Sequence, residues 1–136
     1  MSEPPDLAGV YETVLYGPDL RALVDFYADV VGLRPIPTEL PELLAALRVP
    51  DGGVLLLFDP ARSVDEGREV PAHGSRGAGH VAFRTNTAEL DDWLAHLAAL
   101  RVPVERRVEW RPGLVSIYVR DPAGNSVEFI NGELWN

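Results

Sequence analysis

The order of patterns in the first sixty residues recurs after residue 78, and a chain that repeats itself folds as two copies of one unit. Residues 11–16 (YETVLY) read as a strand, ended by Gly17-Pro18. Asp19 is a good N-cap, and Leu20, Leu23, Val24, Tyr27 and Val31 follow at helical spacing, stopped by Gly32 at a C′ position. Three strands are expected next, over 33–37, 43–49 and 54–58. The middle one (ELLAALR) could be helical by propensity, but the Pro50-Asp51-Gly52-Gly53 turn favours a hairpin with VLLLF. Residues 79–84 (GHVAFR) then restart the pattern. Asn86 or Thr87 caps a helix with Leu90, Trp93, Leu94 and Leu97 on one face and Glu89 in its first turn. Strands over 104–110, 114–120 and 126–130 complete the second copy.

The expected organisation is therefore one α+β domain over 10–136, of order βαβββ, linker, βαβββ. Module one covers about 10–59, the linker about 60–78 and module two about 79–131, with residues 1–9 a flexible N-terminal arm. A length of 136 residues suits one core.

The most specific stretch is SIYVRDPAGNSVEF, residues 116–129. Ser116, Tyr118 and Arg120 alternate with Ile117 and Val119; DPAGN supplies turn chemistry, and Glu128 projects oppositely to Val127 and Phe129 on the last strand. If Thr13, Leu15, Val81, Phe83, Ile117, Val119, Val127 and Phe129 cover the helices, the opposite face follows by alternation. It carries Glu12, Val14 and Tyr16 from the first copy and His80, Ala82, Arg84, Ser116, Tyr118, Arg120 and Glu128 from the second. Glu12 lies seven residues before Asp19 and His80 seven before Thr87, so the two copies place an ionisable side chain at the same point. One imidazole and two carboxylates form an N/O donor set for Zn, Ni, Mn or Fe(II). Taken singly, each is an ordinary solvated residue on the wet face of an antiparallel sheet; only the repeat sets them apart.

Composition excludes more than it selects. There is no cysteine, so disulfides, thiolate sites and cysteine nucleophiles are out. All twelve basic residues are arginine, which removes Schiff-base lysines. A net charge of −9 disfavours a nucleic-acid partner. No apolar run or leader pattern suggests a membrane or export, and a cytoplasmic location is expected.

The segments ETVLYGPDLRALVDFYADVVGL, GAGHVAF and SIYVRDPAGNSVEF together resemble the vicinal oxygen chelate superfamily: glyoxalase I, bleomycin-resistance and fosfomycin-resistance proteins, and extradiol dioxygenases. The resemblance runs from Tyr11 to Ile130. It implies paired βαβββ modules forming a half-open barrel around a divalent metal, and a homodimer with module edges paired or modules exchanged. Its ligand positions fall on Glu12, where many members have His, on His80 and on Glu128. Aligning Phe58 with Phe129 puts the fourth position at Leu57, or at Leu56 if the register slips by one; leucine cannot ligate.

A three-donor site leaves room for a chelating, oxygen-rich small molecule, and redox-neutral lyase or isomerase chemistry through an enediolate is favoured over dioxygenation. Glu12 or Glu128 would serve as the base. Arg84 and Arg120 would neutralise an anionic substrate or else sit in ion pairs. Tyr16 and Tyr118 would bind substrate oxygen or simply wall the cavity. His73 on the linker would act from a lid or stand in solvent. His96 is expected at the surface. The competing class is a metal-free sequestering protein of the bleomycin-resistance type, and a third is a degenerate domain that binds nothing.

Overall fold

The computed structural model describes residues 3–38, 42–50, 52–63, 71–86 and 90–135. In chain order it contains β1 (Glu12–Tyr16), α1 (Leu20–Asp25) continuing as a π-helical turn (Phe26–Val30), β2 (Arg34–Ile36), β3 (Leu44–Arg48) and β4 (Val54–Phe58). A short α2 (Pro60–Ser63) follows, then β5 (His80–Arg84), α3 (Asp91–Ala99), β6 (Arg106–Arg111), β7 (Leu114–Arg120) and β8 (Ser126–Ile130). Among the described residues the strands form two four-stranded sheets, β1-β4-β3-β2 and β5-β8-β7-β6, which do not close into a barrel. The repeat is real: each sheet pairs its first and last strands in parallel and the rest antiparallel.

Register makes the equivalence exact to the residue. Glu12 pairs with Val54 and Val14 with Leu56; His80 pairs with Ser126 and Ala82 with Glu128. With Glu12 equivalent to His80, Glu128 is therefore equivalent to Leu56, and Phe58 to Ile130 rather than to Phe129. The reason is facial. Leu57 is fully buried in the core beside Leu15, whereas Leu56 belongs to the opposite face with Val14.

Local chemistry explains the elements. Asp19 caps α1 by accepting from the Ala22 amide (3.1 Å), and Gly32 leaves the helical end at φ +90, where a Cβ would be strained. Within ELLAALR, Leu44–Arg48 form strand β3, because cross-strand pairing on both sides outweighs a propensity worth only tenths of a kcal/mol per residue. Helix α3 starts at Asp91, later than its pattern suggested, and Leu90 precedes it without a side-chain cap; Thr87 and Glu89 lie outside the described residues, as does Asp51 of the first turn.

One core joins both copies. Leu15, Leu55 and Leu57 from the first sheet meet Ile117, Val119, Val127 and Phe129 from the second, with Leu23, Phe26, Tyr27, Val30 and Leu97 from the helices between. Thr13 remains exposed, and Val81 and Phe83 are half-buried. The DPAGN turn fastens the two copies together. Buried Asp121 accepts from the Tyr27 hydroxyl (2.7 Å), from the Asn125 side chain (2.9 Å) and from the Ala123 and Asn125 amides. Asn125 in turn donates to the Tyr16 carbonyl and accepts from the Gly79 amide (2.7 Å), so it holds the end of β1 and the start of β5 at once. Gly17 is needed for this approach, since a Cβ there would lie 2.7 Å from that of Ala123.

Candidate functional site

The core-facing residues fix where the other face of each sheet looks. Leu15 is buried, so Glu12, Val14 and Tyr16 face outward from the first sheet; Val127 and Phe129 are buried, so Glu128 faces outward from the second, with His80 across the sheet. The two open faces differ sharply.

On the second sheet His80 and Glu128 meet, Nε2 to Oε1, at 3.2 Å. The rear of the imidazole is held by the Ser126 carbonyl, 3.1 Å from Nδ1. A carbonyl only accepts, so Nδ1 carries the proton, and Nε2 presents its other position to the carboxylate. Two electron-rich atoms at this spacing share an electrophile, either a proton or a metal cation. Glu128 is only 7% exposed, and its Oε2 accepts a 2.6 Å hydrogen bond from the fully buried Ser116 hydroxyl. Ser116 accepts in turn from the Trp110 indole N–H at 2.9 Å. Tyr118 stacks on His80 with ring centres 6.3 Å apart. Burial first, then the charge and hydrogen bonding of Glu128, raise the Tyr118 hydroxyl above the ordinary phenol range, so it stays a donor.

The first sheet offers an apolar wall instead. Tyr16 and Phe58 lie side by side, and His73 from the linker closes over them, its ring edge-on to Phe58 at 4.6 Å and its Nδ1 hydrogen-bonded to the Tyr16 hydroxyl at 2.6 Å. Backbone anchors this arrival, since the His73 amide donates to the Ser63 carbonyl (2.9 Å). Thus His73 and Tyr16 are together, away from solvent-only roles, but on the sheet opposite to His80 and Glu128.

Glu12 is exposed on that first sheet and, among the described residues, no hydrogen bond or ion pair holds it. Nor do any three His, Asp or Glu side chains among the described residues gather closely enough to hold a metal ion. The fit to a divalent cation is that of a half-site: His80 and Glu128 have suitable donors, spacing and rear support, and Glu12 is not delivered to them within the chain. Arg120 grips both oxygens of Glu105 (2.5 and 2.9 Å) and the Gly124 carbonyl, and it lowers the Glu105 carboxyl pKa mainly through that hydrogen bonding. Arg84 pairs with Glu133. Either arginine reaches a substrate anion only by exchanging its present carboxylate. His96 stays exposed yet donates a ring N–H to the Val30 carbonyl (2.8 Å), a tie between helices rather than a site.

Ser116 and Trp110 are the members that sequence reasoning left without a role. Alternation placed Ser116 on the right face. Trp110 depends on a register shift between Glu109 and Arg111, a bulge of the kind that re-aims a side chain, and no residue pattern announces it.

Two βαβββ copies, with a His–Glu pair on one open face, define a class of proteins built on paired modules. The family model described as Glyoxalase/Bleomycin resistance protein/Dioxygenase superfamily matches residues 9–129, and the chain belongs to that superfamily. Among solved structures it is similar to the lactoylglutathione lyase from Agrobacterium tumefaciens, with 42% identity over 98% of both chains and a TM-score of 0.87. It also resembles a glyoxalase/dioxygenase from Nostoc punctiforme (23% identity, 98% of this chain and 97% of that one, TM-score 0.70) and the virulence protein STM3117 from Salmonella typhimurium (20%, 95% and 100%, TM-score 0.73), likenesses that show the fold alone. No curated protein sequence matches the chain significantly. No described helix is long and apolar enough to cross a membrane.

Proposed function

We propose that the chain is a divalent-metal-dependent lyase or isomerase of the glyoxalase type, acting on a small oxygen-rich molecule. The observation that carries this reading is the His80–Glu128 pair, 3.2 Å apart, each side chain held from behind. The similarity to a lactoylglutathione lyase supports the reaction class. His80 and Glu128 would hold the ion together with Glu12, and an ion there would polarise neighbouring substrate oxygens and stabilise the negative charge that develops on them.

The remaining roles belong to the chain itself. Glu128 is fixed at both oxygens, so the unpinned carboxylate of Glu12 is the one suited to take up and return a proton. The Tyr118 hydroxyl donates to a substrate oxygen beside Glu128. Tyr16, Phe58 and His73 cover the less polar part of the molecule and keep water from it. Arg84 and Arg120 lie at the margin of the second open face, where either can trade its carboxylate for an anionic group.

Glu12 reaches the other two donors in a homodimer, in which Glu12 of the partner subunit faces His80 and Glu128. Strand β1 is suited to that contact: it is a sheet edge and adjoins the exposed Val10 and Tyr11. Mixing Glu12→Ala with Glu128→Ala protein is the test. The mixed dimer keeps one complete site and regains the parental metal affinity that neither variant has alone; no recovery contradicts the shared site.

A metal-free sequestering role is the second reading, favoured by the separation of Glu12 from the His80–Glu128 pair among the described residues. Tight calorimetric binding of a bulky cationic ligand by metal-stripped protein, with no cation uptake, would select it.

A further inference from the structure

The geometry points to Ser116, oriented by Trp110, as the positioning residue that turns Glu128 into a one-sided ligand; this rests on the metal reading above. An indole N–H only donates, so it occupies an acceptor site of the Ser116 oxygen and leaves the single hydroxyl proton to be given elsewhere. It goes to Glu128 Oε2 at 2.6 Å, the short length of a charge-assisted bond. With Oε2 so occupied, Oε1 is the oxygen that faces His80 Nε2. The chain Trp110–Ser116–Glu128–His80 thus runs from the rim, where Trp110 is 44% exposed, to the donor pair.

The first module supplies an internal control. Ser116 pairs with Ile130 and Leu44 with Phe58, so Leu44 is the equivalent of Ser116 just as Leu56 is the equivalent of Glu128. Where the carboxylate is absent, the hydroxyl behind it is absent too.

The test is titration of the metal-stripped protein with Co(II) and Ni(II), followed by calorimetry, by the visible absorption of bound Co(II) and by indole fluorescence. Ser116→Ala is expected to weaken affinity about 10- to 100-fold, as loss of a supporting hydrogen bond typically does, and to change the Co(II) spectrum. Trp110→Phe is expected to weaken affinity by a smaller factor and to remove most of the quenching that Co(II) causes; Ser116→Thr, which keeps the hydroxyl, retains parental affinity. Because Trp110 lies at the rim, its variant keeps the question open to measurement should Ser116→Ala fail to fold. Parental affinity and spectrum in both Ser116→Ala and Trp110→Phe overturn the positioning role while leaving the metal reading intact. Absence of Co(II) and Ni(II) binding in the parent protein overturns both.

Discussion

The two modules share a topology and a register, yet only the second brings an imidazole and a carboxylate together, His80 and Glu128. Their helix-facing positions match in kind: Leu57 and Phe129 are both fully buried at equivalent points. Their open faces do not match: Leu44, Ala46 and Leu56 stand where the second module has Ser116, Tyr118 and Glu128. The lesson is that packing constrains one face of each sheet to remain apolar in both copies, while the other face is free to diverge. One open face carries the His80–Glu128 pair and the other an apolar wall under His73.

Substitutions can break this contrast face by face. On the shared core, Phe129→Ala is expected to cost about 3–5 kcal/mol and Leu57→Ala about 2–5 kcal/mol in chemical denaturation, since each empties a closed site. Near-equal losses confirm that the modules are alike on that side. A loss below 1 kcal/mol for either would deny the common core.

The link between modules comes next in size. Tyr27→Phe removes the hydroxyl that serves Asp121 and is expected to cost about 1–3 kcal/mol, the penalty of a buried acceptor losing its donor. Burial, reinforced by Asp121, pushes the Tyr27 pKa far above its ordinary value. The sign follows from linkage. Below the unfolded phenol pKa near 10 the native state gains fully; above it the unfolded chain ionises while Tyr27 cannot, so stability falls with rising pH. Urea melts above that pH should therefore be steeper in pH for the parent than for Tyr27→Phe, and equal slopes would contradict the assignment.

On the open face, Leu56→Glu sharpens the comparison directly. It places a carboxylate at the point equivalent to Glu128, on a half-buried side chain, and tighter cation binding is expected by about tenfold if the partner's first sheet faces the donor pair. Smallest of all is Arg120→Ala: its pair with Glu105 is exposed, so thermal melts should hardly move, and what effect there is should fade with salt. The low Glu105 pKa works in the usual carboxylate sense, its contribution present above the unfolded value and lost as pH falls through the folded one.

Much of this was legible in the residues. Hydrophobic period and turn chemistry placed the strands, because alternation and Gly/Pro punctuation are local signals. The repeat put Glu12 and His80 at equivalent points, and alternation put Glu128 on the open face with Ser116. What local patterns do not carry is register and assembly. The match of Phe58 to Phe129 compared two phenylalanines by type, whereas pairing with β1 and β5 sets the equivalence and moves it by one residue to Leu56. Trp110 joined the site through a bulge, and His73 through a fold of the linker back onto Tyr16; both are tertiary outcomes. Glu12 stands exposed on the first sheet, apart from the His80–Glu128 pair, and alternation within one strand carries no information on that separation.

The most direct measurement is the divalent metal content and affinity of the purified protein beside Glu12→Ala, His80→Ala and Glu128→Ala. One ion per chain, lost in the His80 and Glu128 variants and weakened in the Glu12 variant, is the result predicted. Binding that survives in His80→Ala and Glu128→Ala unchanged, or a parent protein that takes up no divalent ion, would contradict the account.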